Sequence, residues 1–202
     1  MTNTDISVLR FGDRRIPRPL ASLRCHDADG AAGIDAAVEG LRRVVVVGTE
    51  ADLATVLTRL LRTERLDVEV AHVTGWRGAR AAVTAAAQRV PLIRDESGTV
   101  VVGAALWLPP GDEATLHGEA VVDDEVLFDG PVRGVRIEPM TAMPGLRAAV
   151  LTGRMRPQRW LTGRAVQFGG TGARVVRDGV SGPREVKRAA FYRHVTGWLR
   201  VG

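Results

Sequence analysis

The chain has 202 residues, of which 45% are hydrophobic and 25% are charged, the balance of a globular protein that can bury a substantial core. Its longest apolar runs, at 44–47 and 100–107, have the length of strands and fall far short of the roughly 20 residues that span a bilayer. The single cysteine, Cys25, excludes an internal disulfide, and residues 1–19 lack the apolar core of a signal peptide. We therefore expect a cytoplasmic protein rather than a membrane-spanning or secreted one.

The formal net charge of +5 is distributed unevenly along the chain. Residues 112–129 carry acidic side chains and no lysine or arginine, whereas the last third is rich in arginine. Basic side chains near aromatic ones suit an anionic membrane surface or a nucleic acid, and a solvated strand face is the alternative. The candidate residues for binding an anionic surface are Arg154, Arg156, Arg159, Arg164, Lys187 and Arg188.

The first half of the chain follows the pattern of an α/β fold. Residues 1–31 contain prolines and glycines among scattered apolar residues, which predicts a loosely structured arm contributing one edge strand. Apolar spacing predicts a helix over 34–42. The β-branched run 44–47 predicts a parallel strand covered on both faces, 53–61 has helical spacing, and 66–73 alternates like a strand. These last three segments predict a βαβ unit.

The pattern changes near Pro91. Before it, the alanine-rich residues 77–88 predict a helix. After it, short apolar runs alternate with turn signals, which predicts an antiparallel sandwich or barrel. The predicted strands are 99–107, 119–122, 125–128, 132–137, 146–152, 164–168, 173–177 and 184–187. We therefore expect an N-terminal arm (1–31), an α/β lobe (32–92) and a β-sandwich lobe (93–202).

The turn from strand to helix at residues 48–52 is where an α/β lobe would carry its chemistry. Thr49 can cap the helix with Asp52 three positions on, a variant of the capping box. Amides at a helix N-terminus can also hold a phosphate. However, the carboxylates of Glu50 and Asp52 satisfy the helix dipole and would repel a phosphate unless a metal intervened. The residues therefore favour the capping role.

At this turn, VVVVGTEADLATVL resembles the nucleotide-binding segment of diacylglycerol and related lipid kinases, in which an apolar strand leads into Gly-Gly-Asp-Gly-Thr and a helix. Gly48 matches the first glycine, and Glu50 stands in place of the aspartate. Thr49 and Ala51 replace the other glycines, and Asp52 replaces the threonine. Because a Cβ hinders close approach of a phosphate, the loop is a poorer nucleotide cradle than that of the family.

Two later segments extend the resemblance. HVTGWRGARAA stands where these kinases have a Gly-Thr-Xaa-Asn-Asp-Phe-Ala-Arg segment, with Thr74 matched and Trp76 in place of the asparagine. The family's late Asp-Gly-Glu segment supplies a metal-linked carboxylate and a general base, and its counterpart here is RDGV at 177–180. The resemblance makes Asp178 the candidate catalytic residue, whereas Val180 cannot accept a proton where the family has glutamate.

The resemblance spans residues 43–200 and implies an α/β lobe followed by a β-sandwich lobe, with the opening βα units of the family lost. If the kinase reaction were retained, the resemblance implies Mg²⁺ and ATP. The nucleotide site would then contain Gly48, Thr49, Glu50, Asp52 and Thr74. An incomplete parallel sheet would also expose an edge that a second subunit could cover.

Because motif residues are replaced at three places, the sequence favours a non-catalytic, cofactor-free binding or scaffold protein, cytoplasmic or peripheral at the membrane. Its partner would be an anionic lipid or another protein. An active Mg-ATP-dependent lipid kinase is the first alternative, and a nucleic-acid-binding protein is the second.

Two smaller features remain open. Asp123 and Asp124 are neighbouring carboxylates, which hard cations prefer. However, VVDDEVLFDG indicates first a hairpin, with Asp-Asp in one turn and Asp129-Gly130 in the next. Trp76 has two interpretations of equal weight: it fills a vacated nucleotide pocket, or it presents an aromatic surface to a partner.

Overall fold

The computed structural model describes residues 5–202, and the chain divides into two compact units. The first contains the residues up to Val90 together with Thr196–Gly202, and the second contains Pro91–Val195. In chain order the first unit contains β1 (Ile6–Arg10), β2 (Arg24–Asp27), α1 (Gly30–Val38), β3 (Arg43–Val47), α2 (Glu50–Arg62), β4 (Glu69–Val73), α3 (Ala79–Thr84) and β5 (Ala87–Val90).

The second unit consists of strands, and the chain then returns to the first unit with one more strand. The strands of the second unit are β6 (Ile93–Asp95), β7 (Val100–Val101), β8 (Ala105–Leu108), β9 (Leu116–Val122), β10 (Glu125–Val132), β11 (Val135–Pro139), β12 (Leu146–Val150), β13 (Leu161–Gly163), β14 (Ala165–Arg177), β15 (Val180–Ser181) and β16 (Val186–Arg193). The returning strand is β17 (Trp198–Val201). None of the helices in the described range combines the length and the hydrophobicity of a membrane span.

The sheet of the first unit has the order β2-β1-β3-β4-β17-β5. All neighbouring strands are parallel except β5, which runs antiparallel to β17. Every residue of β3 is buried, as its β-branched sequence predicts for a central parallel strand. Leu53, Val56, Leu57 and Leu60 form the buried face of α2, so the predicted βαβ unit is confirmed.

The strand order of this sheet reverses between β1 and β3. After β1 the chain forms β2 on one side of it, and after β2 it crosses to β3 on the other side and continues outwards to β4. In open α/β sheets, ligands bind in the crevice outside the carboxyl ends of the strands at such a switch point. The residues that follow β1 and β3 are therefore the first place to look for a site.

The second unit is one antiparallel sheet of eleven strands that folds around its own core. The long strand β14 holds it together, because its first part pairs with β9 and β16 and its last residues pair with β8. Aromatic rings fill the core: Trp107 lies with ring centroids 5.5 Å from Phe168 and 6.0 Å from Phe191. The predicted all-β half, an antiparallel sheet packed on itself, is confirmed.

The structure corrects the predicted N-terminal arm. Ile6, Val8 and Leu9 are buried in β1, which lies between β2 and β3 in the interior of the sheet. The apolar run of β1 is too short to show helical or alternating periodicity. It forms an interior strand because it pairs with β3, which is distant in the sequence. The segment before Arg43 holds β1, β2 and α1, so the expectation that the opening units are lost is also wrong. Likewise, β17 belongs to the first unit rather than to a β lobe reaching residue 202.

The helix predicted at 77–88 forms only over Ala79–Thr84. The Arg43 guanidinium, buried beneath it, donates hydrogen bonds to the carbonyls of Ala82 (3.1 Å), Val83 (2.8 Å) and Ala85 (2.9 Å). These bonds satisfy the carbonyls at the helix end, and the following residues pair as β5 with β17. Tertiary pairing therefore overrides the helix propensity of alanine.

Smaller corrections concern element ends. The helix expected at 34–42 is α1 and begins at Gly30. The strands expected at 164–168 and 173–177 are parts of one strand, β14, with a register shift between Gly169 and Ala173. Asp-Asp does form the turn between β9 and β10. Asp129-Gly130 is not a turn, because β10 runs through it to Val132.

Candidate functional site

A cavity of about 620 Å³ lies beside the switch point of the first sheet. It is lined by residues 14–18 of the β1–β2 connection, by Val47 at the end of β3, and by Thr74, Gly75 and Trp76 after β4. The volume is within the range of about 300–1,000 Å³ that is usual for small-molecule sites. The fold therefore places a cavity where this class of sheet binds its ligands.

A second, shallower hollow of about 500 Å³ adjoins the first. Residues 11–14 after β1 line one side of it, and Thr49 and Asp52 at the start of α2 line the other. Arg14 lines both spaces. The two hollows together occupy the carboxyl ends of β1, β3 and β4, and the turn at 48–52 faces the smaller one.

Thr49 and Asp52 form a reciprocal capping box at the N-terminus of α2. The Asp52 carboxylate accepts hydrogen bonds from the Thr49 backbone N–H (2.7 Å) and hydroxyl (2.8 Å). The Asp52 backbone N–H in turn donates to the Thr49 hydroxyl oxygen (3.2 Å). The capping role expected for these residues is confirmed, and the negative charge lies where the helix dipole favours it.

Gly48 is required by the same arrangement. A Cβ built on Gly48 would lie 2.7 Å from both the Cβ and the Oδ2 atom of Asp52, closer than real Cβ contacts. The Gly48 carbonyl oxygen lies 3.1 Å from Nε2 of His72 on β4. Gly48, which the resemblance matches to a glycine of the lipid-kinase loop, thus makes room for the Asp52 side chain. The assignment of Gly48, Thr49, Glu50, Asp52 and Thr74 to a nucleotide site stays a prediction.

The larger cavity has a basic wall that the sequence pattern does not predict. Arg14, Arg15 and Arg18 are exposed and come from one short segment, and the residues that line this cavity include no acidic side chain. The segment belongs to the predicted N-terminal arm, for which the sequence pattern predicts no binding role. The available signal was an arginine-rich run directly after an apolar run, which proves to be the strand β1.

Trp76 stands at the rim of the cavity with 79% of its surface exposed. It therefore does not fill the pocket, and its ring is available to a ligand or partner. Val47 and Ile16 add apolar surface to the same cavity. The cavity combines guanidinium groups with an aromatic ring, a pairing suited to a ligand that is anionic at one end and flat or apolar at the other.

Asp178, the candidate catalytic residue, lies in the second unit at the turn between β14 and β15. Its carboxylate accepts hydrogen bonds from the backbone N–H groups of Val102 (3.1 Å), Gly103 (2.7 Å) and Ala104 (3.0 Å). Its own N–H donates to the Ala104 carbonyl (2.8 Å). The side chain therefore organises the connection between β7 and β8, while Val180 beside it is 60% exposed.

The two acidic residues weighed as metal ligands form the β9–β10 turn. The Asp123 carboxylate accepts hydrogen bonds from the backbone N–H groups of Arg164 and Ala165 (2.9–3.1 Å). It thus fastens the turn to the start of β14. Within residues 5–202, no group of three or more His, Cys, Asp or Glu side chains is arranged to hold a metal ion.

The basic residues proposed for an anionic surface lie on separate elements of the second unit. Arg154 and Arg156 are exposed in the β12–β13 connection, and Lys187 and Arg188 are exposed on β16. Arg159 forms an ion pair with Glu125 at 2.7 Å, and Arg164 is exposed between β13 and β14. Their action as one binding surface stays a prediction.

No protein-family model and no curated protein matches the chain. Solved structures do resemble it. A diacylglycerol kinase from Bacillus anthracis str. Sterne has a TM-score of 0.70 at 10% identity, with 96% of each chain covered. An NAD kinase from Archaeoglobus fulgidus in complex with ATP has a TM-score of 0.66 at 11% identity, covering 98% of this chain and 93% of the other.

A third structure, yeast NADH kinase complexed with NADH, has a TM-score of 0.61 at 10% identity and covers 97% of this chain and 74% of the other. These identities are too low to carry function and show the fold alone. The likeness extends over nearly the whole chain, including the strands before Arg43. The chain is therefore a divergent protein with the lipid-kinase-like fold that diacylglycerol kinase and NAD kinase structures share.

Proposed function

We propose that the protein is a non-catalytic binding protein that uses the lipid-kinase-like fold to hold an anionic ligand at the carboxyl ends of β1, β3 and β4. The observation that carries this proposal is the contrast between the turn at 48–52 and the larger cavity beside it. The turn at 48–52 is closed by its own Thr49–Asp52 capping box, whereas the adjoining cavity is open and lined by Arg14, Arg15 and Arg18.

The hydrogen bonds that the carboxylates of Asp52 and Asp178 already accept support a non-catalytic role. Asp52 is bonded to Thr49, and Asp178 accepts hydrogen bonds from three successive backbone N–H groups. These hydrogen bonds fix the position of both carboxylates and use part of their capacity to accept further bonds. Val180 offers no base next to Asp178.

An active Mg-ATP-dependent lipid kinase is the second candidate, because one of the structures that resemble this chain contains ATP. It would require Glu50, Asp52 and Asp178 to serve the nucleotide and its Mg²⁺. The hydrogen bonds of the two aspartates count against this candidate. The Asp52 carboxylate is turned onto Thr49 and Gly48, and Asp178 is turned onto the backbone of residues 102–104.

The anionic ligand has two possible sources, a lipid headgroup or a soluble anion. A lipid headgroup would place the protein peripherally at a membrane, where the basic side chains of the second unit, among them Arg154, Arg156 and Arg188, would add attraction to the surface.

Nucleic acid would use the same charges, and its binding would fall steeply with added salt. A protein partner with a hydrophobic interface centre would lose much less affinity with salt.

The deciding experiment measures phosphoryl transfer from γ-labelled ATP with Mg²⁺ to diacylglycerol vesicles and to NAD. In parallel, co-sedimentation with phosphatidylcholine vesicles, with and without phosphatidic acid, and a thermal-shift titration with soluble phosphates measure binding. We expect no labelled product. We also expect the protein to co-sediment with vesicles that contain phosphatidic acid or to be stabilised by a soluble phosphate. Labelled product that disappears in Asp178→Asn would contradict the proposal, as would the absence of binding to every anion.

A further inference from the structure

The β1–β2 connection presents its three arginines from an ordered backbone. Pro17 and Leu20 are buried, and the Leu20 N–H donates to the Pro17 carbonyl at 2.9 Å in a short 3-10 turn at Arg18–Leu20. Arg14, Arg15 and Arg18 therefore project from a fixed segment into or beside the cavity. A guanidinium presents a planar fork of N–H donors that matches a phosphate group.

The positive charge of this wall disfavours a metal ion at the same place, because like charges repel. The acidic residues Asp13 and Asp52 line the adjoining hollow and not the cavity itself. The Asp52 carboxylate is also bonded to Thr49. The charge that Mg²⁺ brings to a bound phosphate can come here from the arginines.

Resting on the proposed function, we infer that this cavity binds a phosphate-bearing ligand without a metal ion. Arg14, Arg15 and Arg18 hold the phosphate, and Trp76 stacks on an adjoining flat or apolar part of the ligand. The cavity volume of about 620 Å³ accommodates a small organic phosphate or the headgroup of a phosphorylated lipid. The inference differs from the nucleotide site of the resemblance in the segment that holds the phosphate and in its independence of Mg²⁺.

Isothermal titration of the full chain with inorganic pyrophosphate and with phenyl phosphate tests the inference, each in EDTA and in excess MgCl₂. We expect both to bind in EDTA and neither to bind more tightly with Mg²⁺, which competes for the free phosphate. The triple variant R14A/R15A/R18A should weaken both affinities at least about tenfold, because it removes charge-assisted hydrogen bonds. Trp76→Ala should weaken the binding of phenyl phosphate and leave the affinity for pyrophosphate nearly unchanged.

The matched control is R24A/R62A/R184A, which removes the same number of charges at exposed positions outside the cavity. Binding by this variant should stay within about twofold of the parent, since distant surface charges are largely screened. Circular dichroism confirms that both triple variants are folded. Vesicles with phosphatidic acid replace the soluble probes to distinguish a lipid headgroup from a soluble phosphate.

Binding that requires Mg²⁺, equal losses in the two triple variants, or no binding of any phosphate probe would overturn the inference. Mg²⁺-dependent binding without phosphoryl transfer would overturn the inference and leave the non-catalytic function intact. Phosphoryl transfer to lipid or NAD would overturn the proposed function instead. The two proposals therefore fail in distinguishable ways.

Discussion

The carboxylate of Asp52 receives both the backbone N–H and the hydroxyl of Thr49, at 2.7 and 2.8 Å, and rests against Gly48. One anionic side chain thereby occupies the N-terminus of α2, the position at which a helix otherwise attracts an external anion. The Asp52 side chain therefore closes the turn, and Gly48 leaves the space that this side chain occupies.

Thr49→Ala should lower the free energy of unfolding by about 1 kcal/mol, because it removes the side-chain oxygen that caps the Asp52 N–H. Urea denaturation followed by circular dichroism measures the change. Thr55→Ala in the interior of the same helix is the matched control. The Thr55 hydroxyl donates back to the Ala51 carbonyl at 2.9 Å within the helix, so alanine should be neutral or slightly stabilising there. Equal effects of the two substitutions would contradict the capping role.

Gly48→Ala should destabilise the protein by about 1–3 kcal/mol, because the new methyl group overlaps the Asp52 side chain, which cannot move without breaking the capping box. Gly153→Ala serves as the control, since a Cβ at Gly153 meets nothing within 4 Å. Both are compared by urea denaturation. A Gly48→Ala variant as stable as the control would mean that Asp52 moves away at little cost and that the turn is not fixed.

Asp178→Ala should cost about 2–4 kcal/mol of stability, because the backbone N–H groups of Val102, Gly103 and Ala104 lose a charged acceptor. Asp178→Asn should cost less. It keeps an oxygen acceptor, and asparagine tolerates the positive φ of 48° at this position.

Thermal unfolding of the two Asp178 variants beside the parent protein provides the measurement. If Asp178→Ala unfolded at the same temperature as the parent, its carboxylate would be free for another role, and the catalytic assignment would gain support. A loss of stability graded from asparagine to alanine would identify the side chain as a structural acceptor.

Glu138 on β11 should make stability depend on pH. Burial raises the pKa of Glu138, but hydrogen bonds from Arg136 and Arg147 outweigh it and hold the pKa below its usual value of 4.5. A lowered folded-state pKa contributes stability above the unfolded pKa, and this contribution is lost as pH falls through the folded value. The parent protein should therefore lose stability between about pH 5 and pH 3 more steeply than Glu138→Gln.

Urea denaturation at a series of pH values checks this difference in slope. Glu113→Gln, at an exposed acidic position before β9, should keep the slope of the parent protein. A Glu138→Gln variant with the parental slope would show that the two arginines do not favour the charged carboxylate.

The part of the fold that the sequence predicts correctly is the part whose pattern is local. The buried run of β3, the apolar face of α2 and the alternation of β4 lie within one continuous segment. In that segment the spacing of apolar residues matches the burial of each element, so periodicity alone identifies the βαβ unit.

The errors occur where a distant segment decides the structure. Ile6–Arg10 is a strand because β3 pairs with it, and Ala87–Val90 is a strand because β17 does. The residue pattern within each segment does not indicate which strand it pairs with. The same holds for the site: the capping box is readable at positions 49 and 52, whereas the meeting of Arg14 with Thr74 and Trp76 depends on the strand order.

The position of β17 between β4 and β5 has a consequence for how the chain is made. Both neighbours leave the ribosome more than a hundred residues before Trp198–Val201, since all of Pro91–Val195 is translated in between. Until then the two strands lack their shared partner, and unpaired strand edges invite association with other chains. A nascent chain stalled within the second unit should therefore be the species most dependent on chaperones.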